Sequence, residues 1–275
     1  MSQSDVDSLL ARINDLPMMP KTILALMDEF NQEEADIDRI AALIGADPVL
    51  AAKLLRLANS AFYHRSRTVS RIDDAVVFIG THATRNLVLA TGLAASIRFP
   101  NWFPKKDFWR FSLHTGVAAR YFARSGRKDP ETAFATGLIR AIGEPLAASA
   151  MQDQMMEINR QTPFYEAERL HQETQTLGFN YVDITCALAR QWNFPEELIA
   201  ILAQSDTSQY ASASPLGTAV AVGAWIVGQE EAGRELEKEE HAGLLERLRK
   251  ASIPIEALDE MPPLAELSEG LEQMF

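Results

Sequence analysis

Asp47 to Tyr63 reads DPVLAAKLLRLANSAFY, and the reading of these seventeen residues decides the fold class. Asp47 can accept hydrogen bonds from the free N–H groups of a first helical turn. Pro48 suits the first helical position, where its missing N–H costs no intrahelical bond. Leu50, Leu54, Leu57 and Ala61 recur at helical spacing, and Ala51, Leu55, Ala58 and Phe62 form a second row beside them. Only Lys53, Arg56 and Ser60 make a polar strip, so the pattern predicts a central helix packed against other helices on most of its circumference. Asn59 and Ser60 are expected to end it by local hydrogen bonding.

Outward from this stretch the chain continues in the same period. Val6, Leu9, Leu10 and Ile13 predict a short opening helix, broken by Leu16-Pro17-Met18-Met19-Pro20. Ile23, Leu24, Leu26, Met27 and Phe30 make the next, and Asp36 is placed to cap a third that uses Ile37, Ile40, Ala41 and Ile44. Beyond the central helix, Ser70 and Asp73 are spaced as a capping box before Ile72, Ala75, Val76 and Ile79, with Gly80 as the stop. A further helix spans Ala83 to Ile97. The proline-punctuated aromatic run Phe99 to Pro104 is the expected boundary of a first bundle. The second half predicts helices over 105–125, from the Asp129-Pro130 cap, and over 145–161, 164–177, 182–192, 195–204 and 215–231. No stretch alternates apolar and polar residues with β-branched enrichment, so the chain reads as all-α. The expected organisation is an N-terminal helical bundle over 1–100, packed against a second helical subdomain over 101–235, and an acidic helical tail over 236–275. Short tail helices are expected at 242–251 and 264–274.

The chain has 275 residues, 47% of them hydrophobic, enough for a sizeable core. Its one cysteine, Cys186, excludes an internal disulfide framework and reads as a small buried apolar residue. The amphipathic, acidic start does not resemble a signal peptide, and no apolar run reaches the roughly 20 residues that span a bilayer. A cytoplasmic protein without a transmembrane segment is expected. The formal net charge of −12 argues against nucleic acid or an anionic membrane as partner, since both are polyanions. Between Leu50 and Pro100, however, seven basic residues (Lys53, Arg56, Arg65, Arg67, Arg71, Arg85 and Arg98) face two acidic ones. Arg56, Arg65, Arg67 and Arg71 are therefore candidate contacts for an acidic protein or a phosphorylated ligand. The structural alternative is that they pair with the chain's own surplus carboxylates.

DPVLAAKLLRLANSAFY resembles the signature helix of the HDOD family, bacterial regulatory domains related to metal-dependent HD phosphohydrolases. The resemblance extends to LPMMPKTILALMDEF (16–30), SRIDDAVVFIG (70–80) and TRNLVLA (84–90). It loosens from Phe108 to about Ser205. It implies an all-helical regulatory protein with a second subdomain related to the HD enzymes, whose ligands are a histidine, a His-Asp pair and later histidines. Where that resemblance places the first histidine this chain has Phe111. In TGLIRAIGEPLAA (136–148) Arg140-Ala141 stands in place of His-Asp. Tyr181 takes a later histidine position, and Gln204-Ser205 a His-His pair. Arginine stays protonated and offers a cation no lone pair, and alanine offers nothing. The resemblance thus implies a degenerate site with no metal, no cofactor and no catalytic residue. Arg140 remains a candidate anion contact, with a salt bridge to Asp183 or Glu144 as its structural alternative. Glycine-rich phosphate loops, nucleophile elbows and cysteine–histidine pairs are absent from the sequence.

The sequence reading is therefore a non-catalytic signalling protein that contacts a partner in trans, with homo-oligomerisation left open. Two rivals stand beside it. One is a metal-dependent phosphohydrolase acting on nucleotides or cyclic dinucleotides, with an unusual ligand set drawn from His114, Asp183, His171 and Glu144. The other is a nucleotide sensor that binds without hydrolysis through Arg140 or the 65–71 loop.

Overall fold

A computed structural model describes residues 6, 9, 19–30, 32, 34–60, 63, 68–206, 214–234 and 242–271. Among the described residues the regular structure is helical and there is no strand. The chain divides into two compact units, Met18–Ser96 with Pro263–Phe275, and Ile97–Pro262 together with the residues before Met18. The division falls just before the aromatic run at 99–104, and it parts the acidic C-terminal stretch between the two units.

The smaller unit is built from α1 (Lys21–Phe30), α2 (Ile37–Gly45), α3 (Pro48–Asn59), α4 (Ile72–Ile79) and α5 (Thr81–Ser96). The capping residues read from the sequence set its corners. Asp36 accepts from the backbone N–H groups of Asp38 and Arg39 to start α2, and Asp47 accepts from Val49 and Leu50 at 3.0 and 3.1 Å to start α3. Substituting Asp47→Ala should lower unfolding stability by about 1 kcal/mol, read as a fall in the urea midpoint. Asp47→Asn, which keeps an acceptor oxygen, should stay near wild type, and equal losses in both would dismiss the cap. At the other end Asn59 donates to the Leu55 carbonyl and exchanges two hydrogen bonds with the backbone of Val69, each 2.7 Å. Ser60 Oγ donates to the Leu57 carbonyl. These two side chains end α3 as expected and also fix the return of the chain at Val69.

Two expectations are corrected here. α3 is not enclosed on most of its circumference. Leu50, Leu54, Leu57 and Ala58 are buried, but Val49 is 64% exposed, and Ala52 and Asn59 are exposed too. Alanines read as apolar in a periodic pattern yet demand little burial, so a helix rich in them can pack through one face only. Nor do Ser70 and Asp73 form a capping box. The N-cap of α4 is Arg71, whose guanidinium instead engages Asp73 at 2.6 to 3.2 Å.

The larger unit comprises α6 (Lys105–Ser125), α7 (Pro130–Ile139), α8 (Gly143–Ala150), α9 (Gln152–Gln161), α10 (Arg169–Leu177), α11 (Tyr181–Gln191), α12 (Glu196–Gln204), α13 (Pro215–Glu231) and α14 (Ala242–Lys250), then a 3₁₀ turn at Ile255–Leu258. Its core forms where α6 lies between α7 and α13. A Cβ added at Gly137 would stand 2.9 Å from the Gly116 Cα, so these backbones touch with no side chain between them. Ala119, Phe122, Val220 and Ile226 continue this core, and Leu248, Ala251, Ile253 and Ala257 belong to the same apolar cluster. The tail therefore contributes to this core through Leu248, Ala251, Ile253 and Ala257. The aromatic run joins this unit through edge-on contacts, Phe99 and Phe103 lying 5.4 and 5.7 Å from the Phe108 ring.

The helix expected over 145–161 is two helices, broken at Met151, where φ is −135° and ψ 54°. The one expected from Phe164 begins only at Arg169. At the far end the helix expected over 264–274 is a single turn, α15 (Leu264–Leu267), after which Gly270 turns with φ +81°. The opening helix falls outside the described residues except for Val6 and Leu9, which are helical and buried.

Candidate functional site

The C-terminal end of α7 and the start of α8 meet the start of α11 at backbone contact. A Cβ added at Gly143 would lie 2.1 Å from the Tyr181 carbonyl oxygen, so only glycine fits this crossing. Thr185 Oγ1 stitches it together, accepting from the Gly143 N–H at 2.9 Å and lying 3.0 and 2.8 Å from the Arg140 and Tyr181 carbonyls. This corner brings Arg140, Tyr181 and Ser205 to one buried point. The Arg140 guanidinium donates to the Ser205 carbonyl from Nε at 3.3 Å and Nη2 at 3.2 Å, and to the Tyr181 hydroxyl from Nη1. Its central carbon lies 5.2 Å from the centroid of the Tyr181 ring. Burial, opposed by the arginine, pushes the Tyr181 phenol up to about 12. The hydroxyl therefore stays protonated at neutral pH.

Three of the positions at which the family resemblance expects metal ligands, Arg140, Tyr181 and Ser205, meet here, and the Arg140 guanidinium bonds the other two. Arg140 is not salt-bridged to Asp183 or Glu144, which corrects the sequence expectation. Asp183 completes a capping box with Asn180, accepting from the Asn180 N–H at 3.0 Å at the start of α11. Glu144 belongs to Arg169. Arg169 Nη2 lies 3.0 Å from Glu144 Oε2, Arg169 Nε lies 2.6 Å from Glu173 Oε1, and all three side chains are at most 1% exposed. Arg169 Nη1 donates to the Thr162 carbonyl, and Glu173 Oε2 accepts from the Tyr181 N–H at 2.8 Å. Glu173 thus bonds the first turn of α11 and the arginine at once.

Two carboxylates share one guanidinium in this network. Burial, then the adjacent Glu144 carboxylate, hold the Glu173 carboxyl well above the usual glutamate range, against the pull of Arg169. Among the described residues Glu144 Oε1 has no hydrogen-bond partner. Folding therefore takes up a proton at Glu173. The stability this supplies is fully present below the ordinary glutamate pKa and is lost as pH rises through the folded value. Urea unfolding over a pH series should show stability falling from the ordinary glutamate range upward. Glu173→Gln, which keeps a donor and an acceptor, should flatten that fall; an unchanged slope would remove Glu173 as its cause.

Among the described residues, no three His, Cys, Asp or Glu side chains are grouped so as to hold a metal ion. His114 is half-buried on α6. His171 is exposed, with its ring Nε2 2.7 Å from the Gln175 amide. Arg140 has no lone pair to offer a cation and the Tyr181 hydroxyl is neutral, so this cluster supplies none of the imidazole, thiolate or carboxylate donors that a divalent metal takes. Cys186 is buried, and burial pushes its thiol up to about 12, leaving it an inert packing residue.

The remaining candidates lie elsewhere. Arg71 is exposed and paired with Asp73. Arg56 is half-buried in the last turn of α3, one turn from Lys53, whose amine burial and the neighbouring guanidinium push down. Arg65 and Arg67 lie outside the described residues. Arg56 and Arg71 belong to the smaller unit and Arg140 to the larger one. Arg169 and Glu173 were overlooked in the sequence, although their i,i+4 spacing on a helix was a readable signal.

The profile of the HDOD domain matches residues 16–208, and the chain belongs to the HDOD family. It is 26% identical over 198 residues to an uncharacterized protein of Treponema pallidum strain Nichols, a match covering 70% of this chain and 38% of that protein's length. The fold is similar to that of a crystal structure from Shewanella amazonensis SB2B described as a candidate phosphohydrolase, with 25% identity, a TM-score of 0.75 and 97% of each chain covered. It is also similar to an HDOD domain protein of unknown function from Geobacter sulfurreducens, with 21% identity, a TM-score of 0.71, and 99% of this chain and 97% of that one covered.

Proposed function

We propose that this chain is a non-catalytic regulatory protein of the HDOD family that acts through contacts with a signalling partner bound in trans. The observation that carries the reading is the Arg140 guanidinium, bonded to the Ser205 carbonyl and the Tyr181 hydroxyl at the point where the family resemblance would place metal ligands. A divalent ion brought there would meet a permanent positive charge and a phenol held protonated, and would gain no anionic donor from either. The neighbouring carboxylates of Glu144 and Glu173 are already committed to Arg169. No helix among the described residues is long and apolar enough to cross a membrane.

A second reading, metal-dependent phosphoester hydrolysis, draws support from the description of the Shewanella amazonensis protein as a candidate phosphohydrolase. One experiment separates the two. Protein purified without chelator is assayed for metal by elemental mass spectrometry, then tested with manganese against phosphate-ester and cyclic-dinucleotide substrates. The expected result is metal far below one equivalent and no turnover above the Arg140→Ala variant. Stoichiometric metal with turnover would overturn the regulatory reading.

A further inference from the structure

α6 ends in a turn whose left-handed residue is an arginine. Gly126 has φ −82°, and the positive φ, +55°, falls on Arg127. That conformation favours glycine, because a Cβ there crowds the following carbonyl oxygen. The other non-glycine residues with positive φ among those described, Asn193 and Ser252, have short polar side chains. The preceding position cannot carry a side chain instead: a Cβ at Gly126 would stand 2.9 Å from Ile253 Cγ1.

Arg124, Arg127 and Lys128 are exposed, and among the described residues none of the three has an ion pair or a side-chain hydrogen bond. They are not needed to close the helix. The backbone N–H groups of Gly126, Arg127 and Lys128 already bond the carbonyls of Phe122, Arg124 and Ala123. In a chain with 38 acidic and 26 basic residues, cations have carboxylates in surplus. Elsewhere in the same unit arginines take them: Arg110 meets Glu231 at 2.5 Å, Arg120 meets Glu131 at 2.8 Å, and Arg234 meets Glu166 at 2.5 Å.

A second helix end abuts this turn. Ile253, which packs at Gly126, closes α14 by bonding its N–H to the Leu248 carbonyl. The last turn of α14 carries Arg249 and Lys250, both exposed, whose contacts with Glu246 are 4.0 and 3.5 Å long and solvent-screened. The carboxylates next to the α6–α7 turn are committed, Asp129 to capping α7 and Glu131 to Arg120. After Lys250, acidic side chains resume only at Glu256. Two helix C-termini therefore bring five exposed cations to one part of a strongly acidic molecule.

We propose that Arg124, Arg127 and Lys128, with Arg249 and Lys250 beside them, form the docking surface for an aspartate- and glutamate-rich segment of the signalling partner. Arg127 lowers the stability of its turn and supplies charge to the contact, a trade characteristic of functional residues. Exposed cations on two helix ends make a broad positive surface and lack the convergent buried donors that hold a single phosphate, which favours a run of carboxylates. A nucleic acid is disfavoured because the net charge of −12 repels a long polyanion beyond the patch. The proposal rests on the regulatory reading and names its partner chemistry. Its test reads binding and not turnover, so it can fail while that reading stands.

A fluorescein-labelled oligoglutamate peptide is titrated by anisotropy into the full chain at low and at physiological salt, and the Tm of each variant is recorded. Binding should weaken as salt rises. Arg127→Gly is expected to raise Tm by about 2 °C or more, by relieving the left-handed arginine, and yet to weaken peptide binding about threefold. Arg124→Gln/Lys128→Gln should weaken binding about tenfold with Tm little changed. Lys106→Gln/Arg190→Gln, which removes two exposed cations elsewhere in the same unit, should bind like the parent. Equal losses in the two double variants would reduce the effect to net charge and overturn the proposal. An Arg127→Gly variant that binds as the parent does, or a parent that fails to bind at low salt, would overturn it too. Tighter, Arg127-dependent binding of an oligothymidylate of the same length would assign the surface to nucleic acid and overturn the protein-segment assignment.

Discussion

Arg169→Met is expected to destabilise the fold by about 3 to 5 kcal/mol near neutral pH, because it leaves the negative charge shared by the buried Glu144–Glu173 pair without its counter-charge. Glu144 and Glu173 are sealed from solvent, and their shared partner is this one guanidinium. The Thr162 carbonyl would lose its donor as well. The loss should be smaller in mild acid, since protonation of a carboxylate relieves the uncompensated charge, and larger as pH rises. Urea midpoints measured at several pH values give both the size and the slope. Adding Glu144→Gln and Glu173→Gln should recover much of the stability by removing the charges themselves. A single Arg169→Met variant as stable as the parent at neutral pH would show that the network is not held by charge pairing.

Gly143→Ala is expected to cost about 3 kcal/mol, at the upper end of what overpacking does in a core. Its Cβ would stand 2.1 Å from the Tyr181 carbonyl oxygen and 2.9 Å from Ile184 Cβ, so α8 and α11 must move apart as backbones. That shift also strains the Gly143 N–H bond to Thr185 and the alignment of Tyr181 with Arg140. Gly45→Ala is the matched control. Its Cβ would meet only the mobile tip of Ile72, Cδ1 at 3.3 Å, and a small change is expected there. Denaturation midpoints of the two variants measured together test the argument, and similar values would dismiss the close crossing as its basis.

Local signals in the sequence were enough for the helices and several of their caps. Asp36, Asp47 and Asp129 cap the helices that follow them, because an N-cap needs only the residue itself and the next three N–H groups. The family was legible for the same reason, since its signature is a contiguous run around α3. What failed was local competition between near-equal choices. Ser70 does not cap α4, whose N-cap position falls on Arg71 without a side-chain cap bond while Asp73 pairs with that arginine, and helical periodicity ran unmarked through the break at Met151.

Arg140 could be singled out in the chain, but not its partners. Arg140 had two carboxylates as candidate partners, and tertiary structure gave one to a helix cap and the other to Arg169. The arginine was left bonded to a carbonyl 65 residues away and to a phenol 41 away. Short-range patterning alone determined that this chain is helical and where several of its helices begin. Only the folded chain decided which charges meet, because pairing inside a core depends on which side chains are excluded from water together. Sequence spacing does not encode that.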